Sequence, residues 1–211
     1  MIVEYIPSVV MAEAKLPEDE KSRLRRQVGT YLNRLHQVEG DSFGYLSRIA
    51  MGVRFGSWRE AFMFEAEDIL TRLEAYRPFP PEVFAALRRR FASGGPVLDE
   101  IKTPQLLHTD MWEGNVLLTE DAREIAAVID GDRAVFGDVD FEFASEWGAG
   151  LTSLCGREPP GSGSPARRER MSLYRLYYVL LEAYVWTAEY DGPEVRQEKQ
   201  NALLALLREK Q

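Results

Sequence analysis

The polar residues best suited to chemistry lie in one short loop between two apolar runs. The segment LLHTDMWEGNVLL, residues 106–118, contains His108, Asp110 and Asn115, and its apolar flanks would fix both ends of the loop. A second apolar run, IAAVID, ends at Asp130, fifteen residues after Asn115. Because both runs end in polar residues, two short strands there would bring Asp110, Asn115 and Asp130 together at one edge.

These residue types predict a particular reaction class. Carboxylate and amide oxygens suit magnesium, which keeps several waters and takes one or two protein ligands together with phosphate oxygens. An unpaired aspartate beside such a metal can accept a proton from a substrate hydroxyl. Together they fit phosphoryl transfer, in which catalysis is mostly positioning and charge neutralisation. The order His108, Asp110, Asn115 also has the H-x-D-x-x-x-x-N spacing of a kinase catalytic loop.

Each residue taken alone has a simpler interpretation. A single histidine such as His108 is more often structural than catalytic, and aspartate and asparagine both favour turns. A metal-dependent hydrolase that uses His108 and Asp110 is another possible interpretation of these residues. It is disfavoured because the only other histidine, His36, is not placed to complete a zinc site.

Hydropathy patterns predict a mainly helical chain with a few short strands around this loop. Strands are expected at Ile2–Ile6, Gln105–Leu107, Val116–Thr119 and Ile125–Ile129. Helices are expected from Pro17 to Val38, after a Ser57 cap, after Pro80–Pro81, over Phe141–Trp147, and over residues 166–189 and 193–209.

Composition narrows the function classes. The 211 residues are 45% hydrophobic and 28% charged, with a formal net charge of −8, which disfavours a dedicated nucleic-acid binder. One cysteine, Cys155, cannot form an internal disulfide. Glu4 interrupts the apolar N-terminus, and the run Leu173–Trp186 contains charges and is too short to span a bilayer. We therefore expect a cytoplasmic protein that does not bind membranes.

The segments HTDMWEGNVLL and VIDGDRAVFGDVDFEFA together resemble the aminoglycoside phosphotransferase and choline kinase-like family. The run Trp112-Glu113-Gly114-Asn115 looks closest to its fructosamine-kinase-like members. The N-terminal IVEYIPSVVMAEA and the tail RMSLYRLYYVLLEAY are also similar to the family. The resemblance implies an α+β, mainly α fold: a protein kinase-like C-terminal lobe with a small β-hairpin cluster at the active site.

The same resemblance implies a domain plan. Residues 1–211 would form one domain, with a hinge strand at 1–7, catalytic and metal-binding loops at 105–142 and C-terminal helices at 166–209. The activity implied is transfer of phosphate from ATP to a hydroxyl of a small molecule such as an aminoglycoside, a ketosamine or choline.

The family motifs also imply residue roles. Asp110 would be the catalytic base and His108 would brace its loop, while Asn115 and Asp130 would hold magnesium on the ATP phosphates. The remaining implied positions are the backbone of Glu4, Tyr5 and Ile6 at the adenine, Asp138 supporting the catalytic loop, and Glu142 where the family often has Asp. Separately, the position of Trp112 inside this loop suggests that it lines the acceptor pocket.

One expected part of a kinase-like enzyme has no counterpart in the sequence. A strand lysine paired with a helix glutamate normally holds the α- and β-phosphates, but no lysine here lies in such a setting. We therefore expect the N-terminal lobe to be absent and this chain to be weak or inactive alone. The alternative is a non-catalytic nucleotide-binding or protein-interaction module. The face left by the missing lobe should expose apolar surface near Val3, Ile6 and the strand cluster, which would favour a homodimer or another partner.

Overall fold

A computed structural model describes residues 5–159, 161–190 and 192–208 of the protein. The described residues form two compact units that alternate along the chain. The first unit comprises residues 5–41, 45–53 and 103–159. The second comprises residues 42–44 and 54–102 and the described part of 161–208. The loop at residues 108–115, which has the kinase spacing and is called the catalytic loop below, therefore belongs to the first unit.

The first unit is built on one long helix, α1 (Glu18–Leu35). Three acidic residues lie in its first turn, where they interact favourably with the positive end of the helix dipole. Leu24, Val28 and Leu32 recur every four residues and are all buried. The helix ends three residues before the predicted Val38. A short helix, α2 (Leu46–Ala50), also belongs to this unit.

Within the described residues, six short strands form two antiparallel sheets. The strands are β1 (Val9–Val10), β2 (Gly44–Tyr45), β3 (Gln105–Leu107), β4 (Val116–Leu118), β5 (Ile125–Val128) and β6 (Val135–Gly137). The first sheet has the order β1-β4-β5 and the second the order β2-β6-β3. The β4–β5 hairpin confirms the expected small hairpin cluster, and the strands at Gln105, Val116 and Ile125 lie where the sequence predicted them.

The first strand lies further along the chain than expected. Glu4, with the rest of residues 1–4, lies outside the described residues. Tyr5, Ile6 and Pro7 are not in a strand, so the hinge strand predicted at 1–7 is wrong for these three residues. Val9 instead pairs with Leu118 of β4. Pro7 has no backbone N–H to donate to a ladder, and pairing begins only after it.

The helix predicted over Phe141–Trp147 is two short helices. They are α5 (Val139–Glu142) and α6 (Glu146–Ala149). Ser145 has an extended backbone, and its hydroxyl accepts a hydrogen bond from the backbone N–H of Gly148 at 2.9 Å. Because Ser145 caps the start of α6, it cannot also continue α5.

The described part of the second unit contains four longer helices. They are α3 (Trp58–Ala75), α4 (Pro81–Gly94), α7 (Pro165–Ala188) and α8 (Pro193–Arg208). Ser57 and Glu60 form a reciprocal capping box at the start of α3, which confirms the predicted cap. The described part of the chain has no helix that is both long enough and apolar enough to span a bilayer.

A buried hydrogen bond links two of these helices. The indole Nε1 of Trp58 donates to the hydroxyl of Tyr174 at 2.7 Å, and both side chains are almost fully buried. Tyr174→Phe should lower the free energy of unfolding by about 1–3 kcal/mol, because the indole N–H loses this acceptor. Urea unfolding measures the change, with Tyr190→Phe as the exposed control. Equal stability of the two variants would contradict this prediction.

The single cysteine should react slowly in the folded protein. Cys155 is buried in the first unit, and burial raises the pKa of its thiol to about 11. Because the thiolate is the nucleophile, the reactive fraction at pH 8 is about 100-fold lower than for an ordinary thiol. An aromatic disulfide reagent should therefore label Cys155 slowly in native protein and rapidly in urea. Rapid labelling without denaturant would be inconsistent with this burial.

Candidate active site

The catalytic loop is held at its start by one buried carboxylate. Glu142 of α5 is only 2% exposed. Its Oε2 accepts the backbone N–H of His108 at 2.7 Å, and its Oε1 accepts that of Thr109 at 2.9 Å. Thr109 has a φ of 63°, which is uncommon for a β-branched residue. The two bonds to Glu142 therefore hold a sharp turn immediately before Asp110.

His108 connects this loop to the end of β5. Its Nε2 lies 3.0 Å from the carbonyl oxygen of Ile129, and its Nδ1 lies 3.3 Å from the backbone nitrogen of Asp110. A carbonyl can only accept and a backbone N–H can only donate, so the contacts fit a neutral imidazole with its proton on Nε2. This is a bracing position, of the kind expected for His108.

Asn115 is hydrogen-bonded directly to Asp110. Its Nδ2 donates to the backbone oxygen of Asp110 at 2.8 Å and to the carboxylate Oδ2 at 3.2 Å. The backbone oxygen of Asn115 accepts the N–H of Ile129 at 3.0 Å. Ile129 is thus bonded to both His108 and Asn115, which places the following residue, Asp130, beside the loop. The structure brings together the three residues that the sequence grouped.

Opposing electrostatic effects act on Asp110. Burial raises its pKa, because the charged form loses contact with water. Arg133, whose Nη1 lies 3.7 Å from Asp110 Oδ1, lowers the pKa, as does the hydrogen bond from Asn115. The negative charge of Asp130 also raises the pKa of Asp110, by less than burial does. The net pKa of Asp110 is raised above its ordinary value.

The donor atoms around Asp110 fit a magnesium ion. Both side-chain hydrogen bonds found for Asn115 use Nδ2. Its Oδ1 is therefore available as a hard oxygen ligand for a metal ion. Asp130 is exposed and has a left-handed backbone, with φ of 66°. Across residues 5–159, 161–190 and 192–208, no group of three or more His, Cys, Asp or Glu is arranged to hold a metal. Two protein ligands completed by phosphate oxygens and water are the usual arrangement for magnesium.

Sequence reasoning missed one contributor to this site, Arg133. Arg133 contacts Asp110, and its backbone oxygen accepts the hydroxyl of Thr109 at 2.6 Å. Arg133 stands three residues after Asp130, in a short turn between β5 and β6. That proximity to Asp130 was the only available signal, since an arginine in a polar turn is otherwise an ordinary surface residue.

The two supporting acids have different contacts. Asp138 caps α5, where its Oδ1 accepts the N–H of Asp140 at 3.1 Å. The hydrogen bonds to the loop backbone come from Glu142, whose side chain is one methylene longer than the aspartate common in the family. His36 Nε2 also lies 3.4 Å from Glu142 Oε2, so this carboxylate is the centre of a buried polar cluster.

The remaining predicted residues are more exposed. Tyr5 is 85% exposed, and the backbone oxygen of Ile6 accepts the hydroxyl of Ser8 at 2.8 Å. Trp112 follows Asp110 on the catalytic loop and is 49% exposed. Its indole lies over Gly114, where a Cβ atom would overlap the ring. A glycine at position 114 is therefore what allows the Trp112 ring to lie flat on the loop.

Most of the sequence matches one protein family. The model of the phosphotransferase enzyme family matches residues 1–167. None of the curated protein sequences matches the chain significantly.

Several solved structures share this fold at low sequence identity. A thermostable mutant of aminoglycoside phosphotransferase APH(4)-Ia has a TM-score of 0.63 at 22% identity, covering 92% of this chain and 68% of that one. A protein assigned as a fructosamine-3-kinase from Thermobifida fusca has a TM-score of 0.64 at 18% identity, covering 97% and 67%. Plasmodium vivax ethanolamine kinase has a TM-score of 0.61 at 11% identity, covering 96% and 63%. The chain thus spans about two thirds of the length of these structures.

Proposed function

Because this chain belongs to the phosphotransferase enzyme family, we propose that it transfers a phosphoryl group from ATP to a hydroxyl of a small molecule. Family and fold are those of small-molecule phosphotransferases. The observation that carries the proposal is the Asp110 carboxylate, bonded to Asn115 and interacting with Asp130. A half-buried carboxylate beside two hard oxygen donors suits proton acceptance next to a phosphate.

The proposed reaction assigns each of these groups a task. The acceptor hydroxyl gives its proton to a carboxylate oxygen of Asp110. At the same time, the hydroxyl oxygen bonds to the γ-phosphorus of ATP. The bond from that phosphorus to the β-γ bridging oxygen breaks, and ADP leaves with the electron pair. Glu142 and His108 hold the loop so that Asp110 keeps its position. Asn115 and Asp130 would hold magnesium, which neutralises phosphate charge when bound.

Complexes of similar proteins support this substrate class. An APH(4)-Ia mutant was solved as a ternary complex with AMP-PNP and hygromycin B. Another aminoglycoside phosphotransferase was solved with GDP and kanamycin. A nucleotide and a hydroxylated small molecule are therefore the ligand pair we propose here, in the cytoplasm, where ATP is abundant.

Magnesium-dependent nucleotide binding tests the first half of the proposal. Asp130→Ala should weaken binding of magnesium-ATP at least 10-fold by calorimetry, because one of two protein ligands is lost. The matched control is Asp132→Ala, since Asp132 is an exposed acid in the same turn. Binding that needs no magnesium, or that both variants weaken equally, would contradict the metal assignment.

A non-catalytic nucleotide-binding or interaction module is the second candidate. It is favoured by the position of the lysines, since the described ones (Lys15, Lys21, Lys102 and Lys199) all lie outside strands. The high exposure of Tyr5 fits a surface that a second copy or another partner would cover. Magnesium-ATP binding without turnover across a panel of hydroxyl acceptors would select this candidate.

A further inference from the structure

A pocket of about 470 Å³ lies beside the catalytic loop, within the first unit. One wall is formed by Met111, Trp112 and Glu113, which directly follow Asp110. The other walls come from the segment after β1, from α1 and from α6 with the residues that follow it. Pockets of this volume commonly hold one small organic molecule. A molecule bound here would lie against the residues next to the proposed base.

The surface of this pocket is mostly apolar. Met11, Val28, Met111 and Val116 form a buried floor. The indole rings of Trp112 and Trp147 add flat aromatic surface. Since flat rings gain most by burying their faces against apolar and aromatic side chains, this lining favours a ring-containing ligand.

The charged groups that line the pocket neutralise each other. Arg25 and Glu113 are the only charged lining residues in the described part of the chain. The Nη2 and Nε atoms of Arg25 lie 2.7 and 2.8 Å from Glu113 Oε1, and Nη1 lies 3.1 Å from Glu18 Oε1. Because the pair has no net charge, this lining offers a polycationic ligand no net negative charge. The net charge of −8 for the whole chain is therefore not concentrated on the pocket lining.

We propose, on the basis of the phosphotransferase function above, that this pocket holds an uncharged ring of the acceptor. The acceptor is then a neutral alcohol carrying an aromatic or alicyclic ring, not a polycationic aminoglycoside. Trp112 sets this preference, because its indole is fixed over Gly114 at the pocket wall. The Arg25–Glu113 pair disfavours a polycation because the arginine charge cancels the charge of the one carboxylate in the pocket lining.

Binding of a neutral probe tests the pocket without any turnover. The probe is 4-nitrophenyl β-D-glucopyranoside, titrated calorimetrically in the absence of nucleotide. Trp112→Ala should weaken its binding at least 10-fold. Gly114→Ala should also weaken probe binding, because the new methyl group would displace the Trp112 indole from its position over residue 114 without removing the ring from the protein. Trp186→Ala, in the second unit, is the matched control and should leave the probe affinity within 2-fold of the original.

Kanamycin, titrated in the same way, is the cationic comparison. Kanamycin binding that is tighter than probe binding and is lost in Trp112→Ala would overturn the proposal. So would probe binding that neither Trp112→Ala nor Gly114→Ala weakens, or the absence of probe binding to the original protein. A different result would contradict the phosphotransferase proposal. If the probe binds in a Trp112-dependent way but no acceptor is phosphorylated, the proposed reaction is wrong and the preference of the pocket for a neutral ring is still supported.

Discussion

Replacing Asp110 with asparagine is expected to lower kcat for phosphoryl transfer by about 10²–10⁴-fold, because an amide cannot accept the hydroxyl proton. The amide oxygen of the new residue can still accept the hydrogen bond from Asn115 Nδ2, so the loop should keep its conformation. ATP turnover with a panel of hydroxyl acceptors measures the effect. Nucleotide affinity should change little, since neither of the two proposed metal ligands is altered.

The control for this variant is a neighbouring acid. Asp132→Asn removes the same charge from an exposed position in the turn after β5 and should leave kcat within about 2-fold. Turnover that survives Asp110→Asn would rule out Asp110 as the base. A loss of turnover accompanied by a large loss of nucleotide affinity would instead indicate that the substitution disturbs the metal-binding residues.

Replacing Glu142 with alanine should destabilise the protein by about 3–5 kcal/mol. The carboxylate is nearly fully buried and accepts two backbone N–H groups of the catalytic loop. Alanine would leave both donors buried without an acceptor, and each such group costs about 1–3 kcal/mol. Urea unfolding followed by tryptophan fluorescence gives the change in free energy.

Two further variants test the cause of this destabilisation. Glu142→Gln keeps one acceptor oxygen, so it should lower the free energy of unfolding by roughly half as much as Glu142→Ala does. Glu120→Ala removes an exposed carboxylate near the β4–β5 turn and should change stability by less than about 0.5 kcal/mol. If Glu142→Ala costs less than about 1 kcal/mol, water must replace the carboxylate at the two N–H groups, and Glu142 does not hold the loop.

Local chemistry explains which elements could be predicted. The capping box at Ser57 and the helix after Pro80 depend on residues a few positions apart, and both lie where the sequence placed them. The strand at Val9–Val10 and the separate helices α5 and α6 were not anticipated. The first depends on pairing with β4, more than 100 residues away in the chain. The second depends on whether Ser145 caps a new helix or continues the previous one, and packing decides between the two.

The acceptor preference shows the same division. The composition gives a net charge of −8 but does not place that charge at any site. The structure places Arg25 against Glu113, 88 residues apart, at the proposed acceptor pocket. A net charge is a sum over the whole chain, whereas recognition depends on the few charges that face the ligand.

The sequence by itself predicted which residues form the candidate site, because Asp110 and Asn115 share one loop and Asp130 ends the next apolar run. Their spacing is short enough that one loop and one hairpin bring them together. Only the tertiary structure decided what holds and surrounds them. Glu142 reaches the loop backbone from 34 residues away and Arg133 approaches Asp110 from a separate turn, while Arg25 neutralises Glu113. These contacts join residues far apart in the chain, so their formation depends on how helices and strands pack and not on local spacing.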